Sequence, residues 1–428
     1  MGLTRLLSGI GAHLTQASEA HARWELQMSR NILGSRRRRW MLLILLLLAV
    51  APICASAAWA DTLPQTLGGR RAYAPAVLAT GMLAAAVVIG LIAGLITGCI
   101  GAGGGFIITP AMMSVGVKGI MAVGTDTFHI FAKAIMGTAV HRKMGNVSVR
   151  LAVAFVFGSV PGGFLGAVTM RAIYARSPLL SNAFISTVYA LLLGLLGFFA
   201  LGNFLRLRRR ARDGLRISAH GAIPAGNTAV AEALQSVRLP PRVAFGRTGI
   251  WAGFIVLPGF VVGFVAAIMG VGGGFLTFPM FVYVIGVSEP MTVGTDIFQI
   301  VFTSGYISIV EYAAYGYVFY TLAMGMLLGS LVGIQIGSFA SKAVPPIQIR
   351  GFYALAILAG FANRLMALPR QLTSAGVVNL PKPLTATVDT IGQVLFFAII
   401  GVFGLWVIGA FFVNFRKLRG EFNGPDSQ

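Results

Sequence analysis

The chain has 428 residues, 57% of them hydrophobic and 11% charged, with a formal net charge of +21. A soluble domain carries about 25% charged residues, so this composition excludes an ordinary soluble protein. Two cysteines, Cys54 and Cys99, exclude a disulfide framework; each reads as a small buried hydrophobe.

The N-terminal segment 1–39 is basic, with Arg5, Arg23, Arg30 and the block Arg36, Arg37, Arg38, Arg39. The apolar run 40–60 follows. It reads as a signal-anchor helix, or as a signal peptide with Ala58-Trp59-Ala60 as its cleavage site. Further apolar spans are predicted at about 75–100, 120–141, 149–171, 179–204, 248–269, 291–313, 317–341, 348–367 and 390–414, with shorter apolar pieces at about 106–117 and 275–286. These give a transmembrane repeat at 75–204, an Arg-rich linker at 205–247, a second repeat at 248–367, a final helix at 390–414 and a tail at 415–428.

The linker holds Arg206, Arg208, Arg209, Arg210, Arg212, Arg216, Arg238, Arg242 and Arg247 against Asp213 and Glu232, and the tail opens with Arg416, Lys417 and Arg419. Lys and Arg concentrate in cytoplasmic loops, where they also meet anionic lipid. The charge therefore reads as orientation. No aromatic interleaving or nucleic-acid motif accompanies it, so nucleic acid is not expected as a partner.

The chain is similar to itself. Gly101-Ala102-Gly103-Gly104-Gly105-Phe106 returns as Gly270-Val271-Gly272-Gly273-Gly274-Phe275, and Pro110 as Pro279. Val123-Gly124-Thr125-Asp126 returns as Val293-Gly294-Thr295-Asp296. Gly158-Ser159, Gly162 and Gly166 return as Gly329-Ser330, Gly333 and Gly337. Order and spacing hold, which predicts an internal duplication. If the N-terminus and the linker both face the cytoplasm, an even number of crossings separates them. That holds when 101–141 enters and leaves on one side, and the two repeats are then inverted.

Each glycine cluster should break its helix, since Gly is about 1 kcal/mol worse than Ala in a helix interior. Broken backbone at membrane depth survives only inside protein or along a wet cavity, and its free N–H groups suit an anion. Packing through small residues is the competing explanation. Asp126 and Asp296 follow the clusters, and ionisable groups within a span default to a functional reading. On a helix, Asp126, His129 and Lys133 share one face, as do Asp296, Gln299 and Thr303. Asp126 and Asp296 are candidates for proton coupling, and Lys133 with His129 for balancing an anion. Thr125 and Thr295 fit either a ligand site or bonding to the backbone of a helix start. Arg364 is expected to snorkel to the interface, and Glu311 lies near a span end.

The paired glycine clusters with Pro110 and Pro279, and the two Gly-Thr-Asp elements, resemble the TauE/SafE family of sulfite exporter-type permeases over about 85–415. The resemblance implies a polytopic inner-membrane carrier that exports sulfite, sulfonates or related organosulfur anions. It implies Gly101, Gly103, Gly104, Gly105, Phe106, Gly270, Gly272, Gly273, Gly274 and Phe275, together with Thr125, Asp126, Thr295 and Asp296, as site positions. His129, Lys133, Gln299 and Thr303 rest on spacing alone. The N-terminal extension, the linker and the final span depart from the family's compact pattern.

The sequence thus predicts an all-α polytopic membrane protein with two pseudo-symmetric repeats and glycine-broken helices. The expected function is alternating-access transport of a small anion across the inner membrane, with no metal, cofactor or enzymatic activity. Two other readings compete. Two membrane acids could share a proton in an aspartyl hydrolase, although each sits in the same duplicated Gly-Thr-Asp context. A passive anion channel is the other.

Overall fold

The computed structural model describes residues 80–422 apart from 101–103, 144, 146, 213–228, 238, 246–247, 273 and 345. The expectations for 1–60, and for Gly101, Gly103 and Gly273, lie outside the described residues. The described residues are helical almost throughout. Seven helices among the described residues are long and apolar enough to cross a membrane.

In chain order the elements are α1 (Thr80–Ile100), α2 (Gly105–Ser114), α3 (Gly119–Lys143), α4 (Val149–Arg176), α5 (Pro178–Arg212) and the short α6 (Ala229–Ser236). A hairpin follows, β1 (Arg242–Phe245) paired antiparallel with β2 (Thr248–Trp251). Then come α7 (Gly253–Met269) and α8 (Gly274–Pro279), the latter extended by a π-helical segment, Met280–Ile285. Next, α9 (Glu289–Gly305) continues into a second π-helical segment, Tyr306–Tyr312, which a 3-10 turn, Ala313–Tyr315, closes. Three long helices complete the chain: α10 (Tyr320–Ala343), α11 (Pro346–Ser374) and α12 (Lys382–Phe422).

The expected span at about 248–269 starts later than hydropathy suggests. Residues 248–251 form β2, which turns Ile250 and, from β1, Phe245 onto a small apolar cluster with Leu151, Phe155, Ile255 and Phe281. A four-residue strand that runs straight into an apolar helix leaves no break in hydropathy, so the two merge in the sequence.

Glycine sets the main packing. A Cβ on Gly90, Gly94 or Gly98 of α1 would collide with the carbonyls of Met326, Ser330 and Ile334 on α10. Gly329, Gly333 and Gly337 of α10 meet Val87, Leu91 and Leu95 in the same way. The same pattern joins α4 and α7, where Gly158, Gly162 and Gly166 lie on the carbonyls of Val256, Phe260 and Phe264. Small residues let backbones touch where lipid offers no hydrophobic drive for association. The glycines that recur between the two sequence copies therefore do the same job twice: each set packs on the first helix of the other copy.

The order of these contacts gives direction. Residue numbers rise together along α1 and α10, and along α4 and α7, so each pair is parallel. Along α3 and α9 they run oppositely, from Gly124 beside Tyr312, through Phe131 beside Gly305, to Thr138 bonded to the Ile297 carbonyl. Along α5 and α11 they also run oppositely, with Gly194 beside Phe361 and Phe204 beside Gly351. Elements at equivalent places in the two copies, α3 with α9 and α5 with α11, thus meet antiparallel.

Candidate functional site

Both glycine clusters interrupt helices. α1 ends at Ile100 and α2 begins at Gly105; α7 ends at Met269 and α8 begins at Gly274, with Phe275 next in its first turn. Gly270 adopts φ 78° and closes α7 through its N–H to the Ala266 carbonyl. A side chain there would be strained, and its Cβ would sit 2.8 Å from the Val123 carbonyl. Two tyrosines from elsewhere satisfy carbonyls at this helix end: Tyr189 of α5 donates to Met269, and Tyr312 donates to Ala267. The two breaks face each other, since a Cβ on Gly105 would lie 3.3 Å from Val271 Cα.

α3 and α9 carry the acids to these breaks. Thr109 of α2 donates to Asp126 Oδ2 at 2.9 Å, and a Cβ on Gly274 would stand 3.0 Å from Asp296 Oδ2. Asp126 and His129 are buried, with His129 Nδ1 3.8 Å from Asp126 Oδ1. Lys133, half-buried on the same helix, acts electrostatically on both.

The two copies use this face differently. In the second, Gln299 donates to Asp296 at 2.9 Å, Thr303 donates to Gln299 at 2.8 Å, and Thr303 shares a 2.6 Å bond with Ser159 of α4. The result is a closed ladder. In the first, Asp126 Oδ1, both ring nitrogens of His129 and the hydroxyl of Ser330, the counterpart of Ser159, are buried without a hydrogen-bond partner. Ser304 Oγ, 3.3 Å from where a Cβ on Gly272 would be, is likewise without one. Buried polar groups are nearly always bonded, so these atoms represent unused hydrogen-bonding capacity.

Thr125 and Thr295 make matching bonds. Thr125 Oγ1 accepts the N–H of Phe319, just before α10, and Thr295 Oγ1 accepts that of Ser148, just before α4, each at 2.9 Å. Each hydroxyl therefore holds the start of a helix in the other copy. Thr295→Val should destabilise the protein by about 1–3 kcal/mol, the cost of leaving that N–H unbonded. Thermal unfolding of the purified protein measures it. Gly104 precedes α2, and Phe106 is buried against Tyr353.

Arg364 corrects an expectation. It does not snorkel: it is 1% exposed and lies well inside α11, because the helix runs past the expected limit of 367 to Ser374. Nor does any local pattern tie Glu311 to Arg171, 140 residues away, yet the two are bonded; Tyr306, in the same π-helical segment, also donates to Glu311. Thr109, Tyr189 and Ser304 carry no sequence signal for the same reason, since only the fold brings them to the breaks. Ser159 does carry one in its recurrence as Ser330. Cys99 is buried, as expected.

The family model described as sulfite exporter TauE/SafE matches residues 85–363. The chain is 25% identical over 275 residues to the probable membrane transporter protein YjnA of Bacillus subtilis, covering 64% of this chain and 95% of that protein. It is 25% identical to the probable membrane transporter protein YunE of the same organism, covering 60% and 87%. A probable membrane transporter protein of Xylella fastidiosa is 28% identical, covering 58% and 81%. No solved structure gives a significant match.

Proposed function

The chain belongs to the sulfite exporter TauE/SafE family of membrane transporters, and on that premise we propose that it is a secondary carrier of sulfite, a sulfonate or a related small organosulfur anion across the inner membrane. The observation that carries this reading is the pair of facing helix breaks beside buried polar atoms that make no hydrogen bond. In the proposed mechanism, backbone N–H groups at the breaks, with Lys133 and His129, hold the anion, and Asp126 with His129 carries the coupled proton. Asp296, Gln299 and Thr303 form the rigid wall opposite. The antiparallel meeting of equivalent helices supports inverted repeats, because a two-fold axis relating such pairs lies across the helices, which is the arrangement used for alternating access.

Reconstituted vesicles test the reading. Sulfite and an organosulfonate are each offered with and without a proton gradient. A carrier accumulates one of them against its own gradient when the proton gradient is imposed. Flux that only equilibrates would favour a channel, and absence of flux for both anions would overturn the proposal.

A further inference from the structure

Arg364 is the largest fully buried side chain among the described residues. Its Nε donates to Asn363 Oδ1 at 2.7 Å and its Nη2 to Ser114 Oγ at 2.8 Å, while Nη1 has no hydrogen-bond partner. Both partners are neutral. The acid within electrostatic reach, Asp389 of α12, is engaged elsewhere: its Oδ2 accepts from Arg370 at 2.9 Å and its Oδ1 from Gln393 at 3.2 Å. A guanidinium stays charged, and a buried charge is stable only when something compensates it.

Its position suggests what does so. Arg364 lies within electrostatic reach of Tyr189, the residue that bonds the end of α7, and Tyr189 in turn lies close to Thr109 and within electrostatic reach of Asp126. Through Ser114, at the C-terminal end of α2, it is also tied to the short helix that opens at the first break and carries Thr109 to Asp126. We propose that Arg364 is a docking point for the oxyanion group of the substrate, with Nη1 donating to a sulfonate or sulfite oxygen while Asn363 and Ser114 hold the rest of the guanidinium in place. This rests on the carrier reading above and adds to it a cation outside both glycine clusters and both acid-bearing faces.

The test uses the full chain in detergent, with sodium sulfite and sodium methanesulfonate as probes and sodium chloride as the control. The readout is the rise in Tm that each anion produces, since a ligand that binds the folded state stabilises it by mass action. Wild type should gain stability with at least one sulfur oxyanion. Arg364→Gln should lose that gain whatever its own Tm, and Arg364→Lys should need about tenfold more anion for the same rise. If Arg364→Gln does not fold, Arg364→Lys carries the test. A variant that responds like wild type overturns the assignment of Arg364 and leaves the carrier reading intact. If wild type neither responds to nor transports either anion, the carrier reading falls, and this proposal with it.

Discussion

Asp126→Asn is expected to reduce coupled anion flux on the order of a hundredfold, the loss typical when a positioned proton-transfer group is removed. Asp296→Asn should cost less than about tenfold, or about 1.4 kcal/mol. The two acids occupy equivalent places in the sequence, with His129 and Lys133 on the helix face of one and Gln299 and Thr303 on that of the other. The structure separates them. An asparagine at 296 still offers an oxygen to Gln299 Nε2, and the ladder through Thr303 to Ser159 stays closed. At 126 the carboxylate has one oxygen bonded by Thr109 and the other unbonded beside His129. Proton-driven uptake into vesicles, normalised to folded protein, measures both variants. Equal losses would remove the proposed division of labour.

Gly333→Val is expected to cost about 3 kcal/mol or more, the upper part of the range for overpacking. The new side chain would be driven onto the backbone carbonyl of Leu91, which cannot move aside as a flexible side chain can. Gly401→Val is the matched control, because a Cβ on Gly401 meets nothing within 4 Å. It should stay within about 0.5 kcal/mol of wild type. Thermal unfolding and gel filtration of the two variants decide the point. Similar stability would mean that the α1–α10 contact is not the close backbone approach described.

Some features are visible in the sequence because they are local. Four glycines in five residues mark a helix break wherever the chain goes, and both breaks lie where the clusters are. The recurring Gly158, Gly162, Gly166 and Gly329, Gly333, Gly337 are equally plain as a pattern. What they touch is not, because each set meets a helix of the other copy. Arg364 looks interfacial in the sequence because α11 extends beyond the strongly apolar stretch that hydropathy detects, as α12 also does. The asymmetry between the acids is half visible: the sequence puts His129 and Lys133 beside one and Gln299 and Thr303 beside the other, but which atoms bond to which is set by the fold.

The exchange of helices between the two copies also bears on synthesis. The glycine-lined face of α1 is complete once Ile100 has been added, but the helix it fits ends at Ala343. At about 5–20 residues per second, the ribosome needs roughly 10–50 seconds to supply it. Throughout that interval α1 lacks the surface that it fits most closely. It must wait through the making of α2 to α9 before the partner that fits it exists.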